Sequence, residues 1–117
     1  MPRYLFLGYA DTATERAMTP AELDAVIDAH SAFAAEMRAE GRLHAGAGLA
    51  DPKTATTVRR TPAGTPDVVT DGPFTELAEQ IGGLYILECA DREEALALAR
   101  RIPYSATLTV EVREVVA

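Results

Sequence analysis

Two helical segments, each lying between strand-like segments, constrain the fold of this 117-residue chain more than any other feature. The first is sharply delimited. Thr19 is a good N-cap, Pro20 suits the first helical position, and Glu22 completes a capping box three residues after the cap. Gly41 is typical of the residue that follows a helix. The sequence therefore predicts a helix over residues 20–40.

An apolar stripe runs along this predicted helix at spacings of three and four residues, which predicts packing against a sheet. The stripe consists of Leu23, Val26, Ile27, His30, Phe33, Ala34 and Met37. The second helix is predicted to begin after Asp91, with Glu94 completing its cap, and to end at Pro103. Its predicted apolar face consists of Ala95, Leu96, Ala99 and Ile102.

Strand patterns surround both helices, because their apolar and branched residues alternate or form short buried runs. The predicted strands are residues 3–9, 42–49, 54–60, 67–70, 82–89 and 107–116. A turn over 61–66 would join the third and fourth strands as a hairpin. A polar loop is predicted over 11–18, a tight turn over 71–74 and a short helical turn over 75–80.

The order β-α-β, hairpin, β-α-β predicts a ferredoxin-like α+β fold with an inserted hairpin, an antiparallel sheet and right-handed crossovers. The length fits a single domain over residues 1–117. Both helices are expected on one face of the sheet, which leaves the other face bare. Because 22 residues are Ala and none is Trp, large core side chains are scarce. We therefore expect a homodimer, with two sheets packed face to face as a dimeric α/β barrel.

Composition excludes several classes of function. The net charge is −7, and the chain lacks the Lys and Arg clusters that nucleic acids and anionic lipids require. The single cysteine, Cys89, excludes an internal disulfide and fits a reducing compartment. No run of 18 apolar residues is present, so no membrane span is expected. A cytoplasmic protein is the resulting expectation.

The segment Asp71-Gly72-Pro73-Phe74-Thr75-Glu76, followed by residues 79–83 (EQIGG), resembles the DGPF branch of the YCII-related family. The resemblance extends over nearly the whole chain, including the helix end at residues 40–41 and the strands at 55–59 and 110–113. It implies a ferredoxin-like dimer. Most members of the family have no assigned activity.

The resemblance also implies a His–Asp pair, and a few relatives eliminate halide from chlorinated aromatic or lactone substrates. His30, eleven residues before Gly41, matches the family's histidine. The family's aspartate precedes a Pro-Tyr pair, but here Ile102 holds that position, and isoleucine can neither orient an imidazole nor take a proton. A carboxylate partner would therefore come from Asp71, Glu76 or Glu79.

Each candidate residue has two interpretations. His30 is either an acid/base group, since an imidazole titrates near cellular pH, or a core or cleft histidine bonded to a backbone carbonyl. Asp71 and Glu76 either stabilise the turn or line a pocket opposite His30. The candidate catalytic residues are thus His30, Asp71 and Glu76. The candidate substrate-binding residues are Tyr9, Phe74, Glu79 and Arg59. Tyr85 and Tyr104 are further candidates for hydroxyls at a pocket rim, and Arg113 is a further candidate for holding an anionic substrate group.

Two hypotheses follow for function. The first is a cofactor-free lyase or isomerase that uses His30 as proton acceptor and donor on a small polar organic molecule. Metal and dinucleotide motifs are absent from the sequence, so no cofactor and no metal are expected. The second is a non-catalytic dimeric accessory module. Because DGPF relatives are often encoded beside extracytoplasmic-function sigma factors, the resemblance implies a role linked to transcription.

Overall fold

Strands and helices alternate along a mixed α+β chain, of which the computed structural model describes residues 1–104 and 108–117. The described strands are β1 (Arg3–Asp11), β2 (Leu43–Gly48), β3 (Thr56–Arg59), β4 (Val68–Asp71), β5 (Glu79–Glu88) and β6 (Thr109–Val115). The described α-helices are α1 (Thr12–Arg16), α2 (Pro20–Ala39) and α3 (Arg92–Ala99). A short 3-10 turn covers Pro52–Thr54.

Four of these strands form an antiparallel sheet in the order β2-β5-β1-β6. This order is compatible with the predicted ferredoxin-like fold, because each crossover helix connects strands that are not neighbours in the sheet. Strands β3 and β4 form a separate two-stranded sheet, as the predicted hairpin required. The inserted hairpin is therefore confirmed.

The capping signals of α2 are confirmed in detail. The Thr19 side chain accepts a hydrogen bond from the Glu22 N–H (3.1 Å), and the Glu22 carboxylate accepts one from the Thr19 N–H (3.0 Å). At the other end Gly41 has φ 73°, a left-handed conformation that glycine adopts without a Cβ penalty. Local chemistry thus determines both ends of the helix.

The core lies on one face of the four-stranded sheet, where α2 and α3 cover it. Strand side chains alternate between faces, so every second residue of β1 and β5 enters this core. Its buried members are Tyr4, Phe6, Phe33, Met37, Tyr85, Leu87, Cys89, Ala95, Leu98 and Ile102. Both helices therefore cover the same face, as predicted.

The opposite face of the sheet, here called the outer face, is also apolar. The residues that alternate with the core positions of β1 and β5 are Leu5, Leu7, Leu84 and Ile86, and each is half-buried. Leu5 pairs with Ile86, and Leu7 pairs with Leu84. The molecule measures 48 × 39 × 19 Å, and a thickness of 19 Å accommodates one sheet and one helix layer. Within residues 1–104 and 108–117, no further layer covers the outer face.

Two local predictions are wrong. Residues 11–18 are not a loop, because the Asp11 carboxylate accepts a hydrogen bond from the Thr14 N–H (2.9 Å) and caps α1. Residues 75–80 form no helical turn, since Glu79 and Gln80 already belong to β5. The Gln80 amide instead donates to the carbonyls of Thr75 (2.7 Å) and Leu77 (3.0 Å) and so stabilises an irregular loop.

The burial of the apolar side chains on α2 and α3 also differs from the prediction. Leu23 and Ile27, on the N-terminal half of α2, are 50% and 52% exposed, so only the C-terminal half of the stripe reaches the core. In α3 the predicted face omitted Leu98, which is buried. Helix α3 ends at Ala99, four residues before Pro103. The predicted start of the last strand, at Thr107, lies outside the described residues.

Candidate functional site

The predicted acid/base residue, His30, pairs with a tyrosine. His30 lies in the middle of α2 and Tyr85 lies in β5, 55 residues further along the chain. The His30 Nδ1 is 2.7 Å from the Tyr85 hydroxyl oxygen, a hydrogen-bond distance. The two rings are nearly parallel, with an interplanar angle of 24° and centroids 5.9 Å apart. Nε2, the other ring nitrogen of His30, makes no hydrogen bond with residues 1–104 and 108–117.

The position of Tyr85 is determined by its neighbours. Phe33, one turn along α2 from His30, packs edge-on against the Tyr85 ring, with centroids 5.2 Å apart and planes at 70°. Gly46 of β2 is paired with Tyr85 in the sheet. A Cβ at Gly46 would lie 3.1 Å from the nearest carbon of the Tyr85 ring, which is tighter than ordinary packing. The absence of a side chain at Gly46 therefore lets the ring lie against β2.

Both members of the pair are held in their neutral forms. His30 is half-buried, and desolvation by this burial lowers its pKa. Burial likewise raises the pKa of the Tyr85 hydroxyl. No carboxylate within residues 1–104 and 108–117 hydrogen-bonds or forms an ion pair with His30. At neutral pH the site therefore contains an uncharged imidazole next to an uncharged phenol.

An exposed apolar surface continues from His30 toward the start of α2. Leu23 lies two helical turns before His30 on the same helix face, about 10 Å away along the axis. Leu23, together with Leu49 and Gly82, lines a hollow of about 280 Å³ between the helix start and the ends of β2 and β5. Ile27, between Leu23 and His30, is also exposed. His30 itself does not line this hollow, but the exposed side chains of Leu23 and Ile27 lie between the hollow and His30 on the same side of α2.

The turn over residues 71–74 is connected to the start of β3 by one backbone and one side-chain hydrogen bond. The Gly72 N–H donates to the Ala55 carbonyl (2.7 Å), and the Thr57 hydroxyl donates to the Gly72 carbonyl (2.8 Å). Gly72 has φ 105°, which only glycine adopts readily. Phe74 is 75% exposed, and the guanidinium of Arg59 lies 5.9 Å from its ring centroid, within cation–π range.

Glu76 belongs to a second, wider hollow of about 460 Å³. This hollow lies between α1 and the loop that follows the turn, and its polar wall includes Asp11, Arg16, Lys53 and Gln80. Its rim is stabilised by a two-point contact from the Arg16 guanidinium to the Asp51 carboxylate, at 2.7 and 2.8 Å. Arg16 holds the pKa of Asp51 far below its usual range.

The sequence-predicted residues therefore lie in two separate places. His30 pairs with Tyr85, whereas Asp71 ends β4 and Glu76 lines the wider hollow. The proposed substrate-binding residues Phe74 and Arg59 contact each other, as described above. Glu79 begins β5 as an exposed residue, and Tyr9 is half-buried in β1. The sequence named Tyr85 only as a candidate at a pocket rim. Its spacing of two residues from Leu87, which puts both side chains on the same face of β5, is the signal that could have placed it facing α2.

No group of three or more His, Cys, Asp or Glu side chains in residues 1–104 and 108–117 could hold a metal ion. In the same part of the chain, no helix has the length and apolar character needed to cross a membrane.

Comparison with known proteins gives two matches. The model of the YCII-related domain family matches residues 2–117. An uncharacterized protein of Rhizobium meliloti (strain 1021) is 35% identical over 97 residues, which cover 83% of this chain and 77% of that protein.

Proposed function

The chain belongs to the YCII-related domain family, and on that premise we propose that its His30–Tyr85 pair performs cofactor-free acid/base chemistry of the lyase or isomerase type. The substrate class is a small polar organic molecule that approaches His30 along the exposed side of α2 at Leu23 and Ile27. The observation that carries this proposal is the 2.7 Å contact between His30 Nδ1 and the Tyr85 hydroxyl. This contact orients an imidazole whose other nitrogen has no hydrogen-bond partner in the part of the chain that the structure describes.

In this proposal Tyr85 takes the orienting role that the sequence assigned to a carboxylate. When the Nδ1–H donates to the phenol oxygen, Nε2 carries a lone pair and accepts a proton from the substrate. This abstraction gives an imidazolium, in which Nδ1–H still donates to the phenol oxygen, and the same proton returns from Nε2 to the substrate to regenerate the neutral ring. One hydrogen bond therefore supports both halves of a proton abstraction and return.

A tyrosine partner makes His30 a weaker base than a carboxylate partner would. A neutral phenol does not stabilise an imidazolium as a carboxylate would, and burial lowers the pKa of His30 further. The pair is therefore suited to protons that are already acidic, such as those next to a carbonyl group. A neutral imidazole at cellular pH is also ready to act as a base without first losing a proton.

A homodimer is part of the same proposal. The outer face presents Leu5 paired with Ile86 and Leu7 paired with Leu84, with no layer of the described chain over them. Burial of such side chains contributes roughly 25 cal/mol per Å² of apolar surface. Packing two outer faces together would produce the dimeric barrel, while the His30 sites would remain on the helix side of each sheet.

The alternative function is a non-catalytic dimeric accessory module, and one observation favours it. Ile102, at the position where the family resemblance places an aspartate, is 6% exposed and packs in the core. A buried aliphatic residue there stabilises the fold and supplies no acid. Together with the lack of a described carboxylate partner for His30, this fits a chain that has kept the fold and lost the reaction.

Residue-resolved modification with diethyl pyrocarbonate tests the proposal, because the reagent attacks a neutral, accessible imidazole nitrogen. The chain contains two histidines, and the exposed His44 is a control in the same sample. Peptide mass spectrometry would follow both during short exposures at pH 7. We expect His30 to react, and a panel of small carbonyl acids and lactones to contain a compound that protects His30 while His44 still reacts.

Two results would contradict the proposal. A His30 that stays unmodified in the native protein while His44 reacts would show that Nε2 does not reach solvent. A His30 that reacts freely but that no compound in the panel protects would favour the non-catalytic module. The variant Tyr85→Phe distinguishes the orientation of the His30 ring from its solvent accessibility, because it removes the hydroxyl that orients the imidazole and leaves the aromatic ring.

A further inference from the structure

The β3–β4 hairpin is the part of the molecule with the least support from the rest of the chain. It forms its own two-stranded sheet and shares no ladder with the four-stranded sheet. Of its eight strand residues only Thr57 is half-buried, and the other seven are exposed. An isolated two-stranded hairpin is marginally stable in water. Such an element is therefore expected to gain support from another surface.

One face of the hairpin carries an apolar pair. Val58 and Val69 are directly opposite each other in the ladder, so their side chains lie on the same face. They are 54% and 64% exposed. The other face carries Val68 opposite Arg59, whose guanidinium lies near Phe74. The Val58–Val69 face is thus a pair of branched aliphatic side chains open to water on a protruding element.

The molecular surface indicates how much area is available for a partner. A folded monomer of 12.5 kDa has an accessible surface of about 6,200 Å². This chain exposes 7849 Å², roughly 1,600 Å² more. Its radius of gyration is 16.2 Å, whereas a compact chain of this length has about 13 Å. The subunit is therefore more extended, and exposes more surface, than a compact monomer of its mass.

The excess area matches what a homodimer requires. A standard interface buries about 800 Å² per partner, and obligate homodimers bury about 1,000–2,500 Å² per partner. A two-fold interface joins the same patch on both copies, so it must be self-complementary. Apolar patches satisfy this condition, whereas two chains of net charge −7 repel elsewhere on their surfaces.

We propose that the β3–β4 hairpin is an intersubunit arm that packs its Val58–Val69 face on a second copy of this chain. The arm extends the interface formed by the outer faces, so this inference rests on the homodimer proposed above. Burial of the valine pair supplies the support that the hairpin lacks within its own subunit. The turn over residues 71–74, which follows the arm, is thereby placed near the subunit boundary.

Sedimentation velocity on a dilution series tests the arm. The variant Val58→Thr/Val69→Thr keeps branched side chains and strand propensity but replaces two methyl groups with hydroxyls. The matched control is Val68→Thr, on the opposite face of the same hairpin. We expect a dimer for the wild type, at least a tenfold higher dimer Kd for the double variant, and a control within twofold of the wild type.

Backbone amide hydrogen exchange gives a second readout that needs no variant. For the wild type, amides of residues 56–71 should be protected above the dimer Kd and lose protection on dilution below it, while those of α2 stay protected. A wild type that is monomeric throughout would overturn both the homodimer and the arm. A stable dimer with an unchanged Kd in the double variant, or with hairpin exchange independent of dilution, would overturn the arm alone.

Discussion

Replacing Tyr85 with phenylalanine removes the hydroxyl that contacts His30 Nδ1 at 2.7 Å and leaves the ring in place against Phe33. A typical hydrogen bond contributes about 0.5–1.5 kcal/mol net, and a buried partner left unpaired raises the cost. His30 is only half-buried, so water can replace part of the lost contact. We therefore expect Tyr85→Phe to lower the free energy of unfolding by about 1 kcal/mol.

Thermal and urea denaturation at fixed protein concentration would measure this change. An unfolding entropy of about 2.1 cal/mol/K per residue converts 1 kcal/mol into a Tm lower by about 4 °C for a chain of this length. The matched control is Tyr4→Phe, because Tyr4 is a core tyrosine on the neighbouring strand whose hydroxyl bonds to no described residue. This control should change the Tm by less than half as much.

A double-mutant cycle measures the interaction energy between His30 and Tyr85. The variants Tyr85→Phe, His30→Ala and their combination give a coupling energy, which we expect to be about 1 kcal/mol in favour of the intact pair. A coupling within error of zero would refute the reasoning, because it would mean that the two groups do not interact in solution. If Tyr4→Phe lowered the free energy of unfolding as much as Tyr85→Phe, the destabilisation would be a general property of core tyrosines and not of the contact with His30.

The remaining predictions concern pH and packing. Burial lowers the folded pKa of His30 below the unfolded value of about 6.5, so the unfolded state binds the proton more tightly. The stability contributed by the neutral imidazole is full above pH 6.5 and is lost as the pH falls toward the folded pKa. In urea denaturation between pH 7.5 and 5, the free energy of unfolding should therefore fall less steeply for His30→Gln than for the wild type. Gly46→Ala should lower the free energy of unfolding by about 1–2 kcal/mol, because the new Cβ would press on the Tyr85 ring. The control Gly48→Ala places its Cβ where no atom lies within 4 Å, so its free energy of unfolding should stay within about 0.5 kcal/mol of the wild type in the same assay. Equal costs for the two glycine variants would contradict the packing argument.

The sequence predicts those elements whose determinants are local. Thr19 and Glu22 specify the start of α2 by chemistry within one turn, and Gly41 specifies its end, so these boundaries are correct. Helix α1 was missed because five residues are too short to show a helical period, and its evidence is a single cap at Asp11. The exposure of Leu23 could not be predicted, since it depends on how far the sheet extends beneath α2.

The candidate site shows the same division. The position of His30 on the apolar side of α2 follows from helical spacing alone. Its pairing with Tyr85 depends on the register of β5 against β2 and on the space left by Gly46, which link segments about 40 residues apart. The proposed carboxylates Asp71 and Glu76 were placed by motif, and a motif does not determine where a loop lies relative to a distant helix.

The pairing of His30 with Tyr85 is tested most directly by ¹⁵N NMR of the His30 ring through a pH titration, in the wild type and in Tyr85→Phe. We predict a neutral imidazole at pH 7 with a pKa below the ordinary value of about 6.5, and a Nδ1 resonance that changes when the hydroxyl is removed. A ring that is protonated at pH 7, or a Nδ1 resonance that is the same in both proteins, would contradict the claim that Tyr85 orients a neutral base.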